Sequence, residues 1–312
     1  TGISACGKCI FKKAKGPEGG KCTQGAAEKT AIVQSLLAEH RLPCLLFAAR
    51  LARSTYYYHA SHSVHEAERY ADAVSAMKAI SQRHAQCYGY RRMTKALRDK
   101  GFMLNHKTVR RLMKEHGLTC QLRRKRYRSY MPDGGLASSN LLARDFHADK
   151  SGSRWCTDVT EFRVGGQKLY LSALQDLFNN EIVAWNMSTS QSQTLVCRML
   201  HKAVKAGRHK EGLILHSDQG WAYRTPAWRL MLEKAGITQS MSRKGNCLDN
   251  AVIENFFSHL KVEMYRRKKY GSVKELERDI RMYIRYYNTE RISLKTGGMS
   301  PVAYRTQAER NE

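Results

Sequence analysis

The hydrophobic period changes once, sharply, near residue 154, and this limits the chain to a two-part architecture. Before that point apolar residues recur at the helical spacing of about 3.6, and after it they alternate with a period of 2. Trp155 to Val164 is expected as a strand, Gly165-Gly166 as a two-residue hairpin turn, and Lys168 to Leu177 as a second strand. Asn179-Asn180 offers another tight turn, because Asn tolerates positive φ. Glu181 to Ser188 then completes a three-stranded antiparallel meander. Gln193 to Ala206 reads as a helix, and Leu213 to His216 as a short buried strand. A helical crossover between strands normally gives a parallel pair. Pro226 to Ala235 predicts a helix, Ile237 to Met241 a fifth strand, and two more helices follow.

The first of those two starts in Gly245-Asn246-Cys247-Leu248-Asp249-Asn250-Ala251. Asn246 or Asp249 can cap it. Ile253, Phe257, Leu260 and Met264 form one apolar stripe, and Asn250, Glu254, Ser258 and Lys261 line a neighbouring face. The last long helix is expected from Val273 to about Tyr287.

Upstream, residues 1–27 are rich in Gly and Lys and read as a disordered leader. The first residue is Thr, consistent with a processed chain, a fragment, or the downstream part of a longer product. Short helices are expected over Glu28–His40, Leu45–Leu51 and Thr55–His59, either half of a helix-turn-helix unit or a simple helical hairpin. Residues 68–87 predict another helix. Arg91–Lys100, stopped by Gly101, and His106–His116, capped by Asn105 and closed by Gly117, fit a helix-turn-helix. Its second helix would present His106, Lys107, Arg110 and Arg111 to DNA, with Arg91 and Arg92 alongside. Residues 28–120 are therefore expected as an all-α DNA-binding region. Residues 121–145 read as a basic linker, because five of the six residues from Arg123 to Arg128 are basic. Arg123, Arg124, Lys125, Arg126 and Arg128 would track phosphates, with Tyr127 and Tyr130 available for stacking. Residues 146–305 are expected as the catalytic domain and 306–312 as a tail.

Charge points to the partner. The net charge is +27, with 28 basic against 11 acidic residues in the first 150. Such a surplus repels itself unless a polyanion neutralises it, and nucleic acid is the usual one. No run reaches the roughly 18 apolar residues of a membrane span, and no secretory signal is evident. The nine scattered cysteines suit a reducing compartment. Cys6, Cys9 and Cys22 hint at zinc but lack a clear fourth ligand.

The chemistry is carried by acids. Asp158 sits in the middle of the first expected strand, where an unpaired carboxylate is expensive. Asp218 comes just past the fourth, and ligands bind beyond the carboxyl ends of parallel strands. If those strands are neighbours and the Glu254 helix packs on their edge, three acids meet. Three close acids invite a hard divalent cation, and two such ions about 4 Å apart can clamp a phosphodiester. Glu161 points to the opposite face from Asp158, and Asp176 is expected to be structural. His216 and His259 are expected as polar neighbours rather than ligands.

Asp158, 59 intervening residues, Asp218, 35 more, Glu254, and Lys261 seven later resemble the DDE core of retroviral integrases and bacterial transposases. Thr157-Asp158-Val159-Thr160-Glu161-Phe162, Leu215-His216-Ser217-Asp218-Gln219-Gly220-Trp221 and Ser240-Met241-Ser242-Arg243-Lys244-Gly245-Asn246 narrow this further. With Tyr286-Tyr287-Asn288 and Arg291, they resemble the OrfB-type transposases of the IS-three insertion-sequence family, IS150-like group, from about residue 45 to 305. The resemblance implies a ribonuclease-H-like α/β catalytic domain with a mixed five-stranded sheet, βββαβαβα. It implies two Mg²⁺ (or Mn²⁺) held by Asp158, Asp218 and Glu254. It implies DNA nicking at transposon ends and attack of the new 3′-OH on a second phosphodiester. Lys261 and Asn250 would touch or orient the DNA end, and Arg243 and Lys244 are further candidates for DNA contact. Expected partners are double-stranded DNA, other copies of the chain on that DNA, and an upstream-frame product bearing a further helix-turn-helix and a leucine zipper, which has no four-heptad counterpart here. The expected location is the bacterial cytoplasm, on the nucleoid. Two rivals stay open: a nuclease of the same fold, and a DNA-binding regulator with an inactive core.

Overall fold

The computed structural model describes residues 25–122, 147–242 and 250–311, without the side chains of 62–68. The expected leader before Gly25, Cys6, Cys9, Cys22 and most of the basic linker lie outside the described residues. The chain divides into two compact units, Thr1–Ala79 and Ile80–Glu312.

In the first unit, α1 (Ala26–Leu36) and α2 (Leu42–Ala49) bury Val33, Leu36, Leu45 and Leu46 against one another and Tyr56. Pro43 occupies the first turn of α2, where its missing N–H costs nothing. α3 runs unbroken from Arg53 to Arg83, so the two helices expected over 55–59 and 68–87 are one. The reason is visible in residues 60–67, which contain neither Gly nor Pro and so give a propagating helix nothing to stop it. It ends where Ala85 and Gln86 take positive φ.

The second unit opens with the helical pair α4 (Tyr90–Asp99) and α5 (His106–Glu115). Gly101 at φ +88° supplies the left-handed turn after α4. Asn105 caps α5 by accepting from Lys107 N at 2.9 Å. Met93, Leu97, Val109, Leu112 and Met113 are buried on the facing sides. The pair is tied into its own unit: Tyr88 Oη accepts from Ile292 N, and His84 Nδ1 meets Tyr286 Oη at 2.9 Å.

The meander forms as expected, with β1 (Arg154–Val164), β2 (Gln167–Asp176) and β3 (Ile182–Ser188). After α6 (Gln193–Lys205) come β4 (Ile214–Ser217), a 3-10 turn (Trp221–Arg224), α7 (Pro226–Lys234) and β5 (Thr238–Met241). The sheet order is β3-β2-β1-β4-β5. β1 pairs antiparallel with β2 and parallel with β4, and β4 pairs parallel with β5. Then follow α8 (Ala251–Glu263), a 3-10 turn (Tyr265–Arg267), α9 (Val273–Thr289) and α10 (Pro301–Asn311).

Period 2 sorts the sheet residues onto two faces. Cys156, Phe162, Leu169, Leu171 and Ala173 pack against Ile253, Phe256, Phe257 and Leu260 of α8 and Ile280 and Ile284 of α9. Trp155, Leu174 and Leu215 pack on the other side with α6 and α7, through Met199, Leu200, Trp228 and Leu232. This is a mixed sheet sandwiched by helices, the ribonuclease-H-like arrangement.

Candidate active site

β1 and β4 end their parallel register at Thr157 opposite Ser217, so Asp158 and Asp218 follow directly on neighbouring strands. Asp158 lies within β1, and Asp218 comes just past the last residue of β4. The two acids share a cleft of about 80 Å³ with Gln191, Ser192, Trp221 and Tyr223. Glu254 lies in the first turn of α8.

The three carboxyls feel one another. Burial and the charges of Asp218 and Glu254 push Asp158 up to about 7. Burial also raises Asp218, opposed by the Gly220 N–H that donates to its Oδ1 at 3.0 Å. Glu254 is raised by burial and then by Asp218. Among the described residues none of the three forms an ion pair. Nor do three His, Cys, Asp or Glu side chains already stand in a ligand cluster there. Asp158 and Asp218 thus belong to neighbouring inner strands, with Glu254 within electrostatic reach, and the three are not closed on one point. An all-oxygen, partly buried donor set whose carboxylates repel one another suits a hard divalent cation, which would relieve the repulsion.

Other expected residues fall in several places. Lys261 lies two turns beyond Glu254, with its Nζ 5.5 Å from the centre of the Phe162 ring. Burial and Arg266 lower its pKa, against the pull of Asp158 and Glu161. Asn250, expected at the DNA end, is held inside the protein. It is 4% exposed, occupies the N-cap position of α8, and donates through Nδ2 to the Thr157 carbonyl at 3.4 Å. The backbone before Asp158 competes for its amide, and that bond points it inward. Asn246 and Asp249, the expected caps, lie outside the described residues, as do Arg243, Lys244, Arg123, Arg124, Lys125, Arg126 and Arg128.

On the helical pair, His106, Lys107 and Arg110 are exposed, and Arg91 and Arg110 lie over the Tyr90 ring. Arg111 is engaged by Glu115 at 3.0 Å. Arg92, expected beside the DNA-facing residues, turns inward. It stacks on Tyr88 and reaches to 3.9 Å from buried Glu263, the acid held bidentately by Arg291. The attraction of a buried carboxylate accounts for its inward turn.

The decoys resolve as expected. Asp176 accepts from Ser151 Oγ and from the N–H groups of Gly152 and Phe178. Glu161 pairs with Arg163 and Lys168. His216 is buried between Ser240 and Ser242. Sequence reasoning missed Trp221, which is 52% exposed at the rim of the acid cleft. It also missed the Glu263–Arg291 pair, whose only sequence signal was Arg291 closing the Tyr-Tyr-Asn motif.

The sheet order and the acids at the ends of its parallel strands define a polynucleotidyl-transferase core of the integrase type. Integrase core domain models match residues 148–247 and 254–308, and an HTH-like domain model matches residues 69–126. The putative transposase InsK for insertion sequence element IS150 of Escherichia coli (strain K12) is 44% identical over 276 residues, spanning 88% of this chain and 97% of its own. Transposase InsF for insertion sequence IS3A, also from Escherichia coli, is 31% identical over 280 residues, 88% and 96% of the two chains. A chain of the simian T-cell lymphotropic virus intasome aligns at a TM-score of 0.40 and 14% identity, covering 70% of each chain. The chain belongs to the insertion-sequence transposases of the IS-three family, and it is an enzyme of the DDE transposase class. Among the described residues no helix is long and apolar enough to cross a membrane.

Proposed function

We propose that the chain binds the terminal repeats of its insertion sequence, cleaves DNA there in a Mg²⁺-dependent reaction, and joins the freed 3′-OH to a second phosphodiester. The observation that supports this is the cleft shared by Asp158 and Asp218, with Glu254 near enough to raise Asp158, in a chain with net charge +27. Asp158, Asp218 and Glu254 would hold two Mg²⁺, with Mn²⁺ as substitute. When bound, the metal supplies charge neutralisation for the displaced phosphodiester and a more acidic water. Asp158, within β1, and Asp218, just past the end of β4, would set the floor of the site. Glu254 comes from α8 and can adjust as the helix packs. Lys261, on the same helix two turns on, offers its ammonium to a phosphate at the DNA end. His106, Lys107 and Arg110, at the start of α5, suit insertion into a major groove. The basic segment 121–145 and Arg243 and Lys244 would follow the backbone. Other copies of the chain and an upstream-frame product would complete the assembly on nucleoid DNA in the cytoplasm.

The test is a cleavage and joining assay on labelled duplexes carrying the element's ends, in Mg²⁺, with wild type and Glu254→Gln. Cleavage and joined product from wild type alone bear the reading out. Nicks without joining would make the chain a nuclease. Binding without any cleavage by wild type would make it a regulator.

A further inference from the structure

Trp185 stands level with Asp158 across the sheet. Asp158 pairs with Ala173, and Ala173 pairs with Trp185. Two strand spacings of about 4.8 Å place the indole's backbone roughly 10 Å from that of the acid, on the open edge strand β3. Two cations reach this indole from opposite faces of the sheet. Lys202 comes from α6, its Nζ 5.6 Å from the ring centre, and Arg281 comes from α9, its guanidinium at 5.7 Å. Lys202 also donates to the Trp185 carbonyl at 3.2 Å and to Asn186 Oδ1 at 3.0 Å. Arg198 lies one turn before Lys202 on α6, a helix with no acidic residue. Among the described residues the acid paired with this group is Glu277, 3.6 Å from Arg281.

Like charges do not crowd onto one surface without cost. Burial, Arg281 and Arg198 all press the Lys202 ammonium toward giving up its proton. A second copy of this surface would bring cation against cation. A phosphate backbone would relieve the repulsion. The geometry points to the β3 rim, formed by Arg198, Lys202 and Arg281 around Trp185, as a second track for the phosphates of duplex DNA, separate from the acid cleft and from the helical pair. This rests on the DNA reading above and adds a place for DNA that neither the acids nor α5 supply.

The alternative is edge protection, because charged side chains laid across an exposed strand keep other strands from pairing with it. The two are separated by salt. The full chain is titrated with a random-sequence duplex of about 30 base pairs over a range of KCl, as wild type and as Arg198→Gln/Lys202→Gln/Arg281→Gln. Each phosphate contact contributes about 0.9 to the slope of log Kd against log salt, so the triple variant should lose about 2.7 from that slope. In parallel, duplex should protect Lys202 of the wild-type chain from acetylation, a readout independent of how the variant folds. An unchanged slope with unprotected Lys202 overturns the track while leaving the DNA reading intact. So does a triple variant that self-associates without DNA and binds duplex as wild type does. Failure of wild type to bind duplex at all would instead remove the DNA reading.

Discussion

Asn250 holds the carbonyl of Thr157, the residue immediately before Asp158, and four residues before Glu254 on its own helix. This one amide therefore links the strand that carries the first acid to the helix that carries the third. Among the described residues its side-chain oxygen has no partner, and its side chain is buried.

Asn250→Ala should consequently slow cleavage more than it weakens DNA binding. Loosening the first turn of α8 lets Glu254 drift, and a displacement near 1 Å at a reacting centre costs on the order of 100-fold in rate. Single-turnover cleavage and a separate binding titration are the two measurements needed. Equal losses in both would mean that Asn250 touches DNA directly.

Proton and metal should compete at Asp158. Its carboxyl is held up to about 7, above its value near 3.9 in an unfolded chain. The native state therefore binds the extra proton between these values. Stability from this group is full below about 4 and falls as pH rises to 7. Added Mg²⁺ or Mn²⁺ takes the proton's place, so its stabilising effect should be larger at pH 8 than at pH 6. Calorimetric melts of wild type and Asp158→Asn, with and without metal, test this. A metal-induced shift that ignores pH, or survives in the variant, removes the site.

Glu263 is a buried acid held by Arg291 and Tyr283. Burial works against its charge, but Arg291, Tyr283 and the nearby His259 hold its pKa low. Glu263→Gln leaves the Arg291 guanidinium buried without its counter-charge, at a cost of about 3–5 kcal/mol. The double change Glu263→Leu with Arg291→Met should recover most of that, because a packed apolar pair carries no uncompensated charge. Urea unfolding measures both. A double variant no better than the single one would show that shape, and not charge, is what the site requires.

Periodicity carried the sheet, because β1, β2 and β4 divide their apolar residues between two layers, Cys156, Leu171 and Ile214 in one and Trp155, Leu174 and Leu215 in the other. It also carried the acids, because a carboxylate inside a strand violates the pattern unless something uses it. What it missed depends on contacts between distant residues. Arg92 and Arg291 are 199 positions apart in the chain yet both address Glu263, and nothing local marks Arg92 as different from Arg91. The join of two short helices into α3 was missed for the opposite reason, because the polar segment 60–67 reads as a loop although it contains no residue that stops a helix. Asn250 looked like a solvent-facing residue on the Glu254 row, and only its backbone partner on β1 turns it inward.

Gly152 and Gly166 share a φ of +80° but should respond differently to a methyl group. At Gly166, in the hairpin between β1 and β2, an added Cβ meets nothing within 4 Å. Gly166→Ala should therefore cost only the backbone strain of a left-handed residue, about 1 kcal/mol. At Gly152 the same Cβ would lie 2.1 Å from the Arg208 carbonyl oxygen. That backbone cannot retreat freely, because Gly152 N donates to Asp176 and Lys210 N donates to the Gly152 carbonyl at 2.9 Å. Gly152→Ala should cost more than twice as much, roughly 3 kcal/mol or more, by the combined strain and lost bonds. Both variants are compared by urea unfolding. Equal losses would mean that the segment before β1 yields to the methyl group, and that Asp176 does not fix it in place.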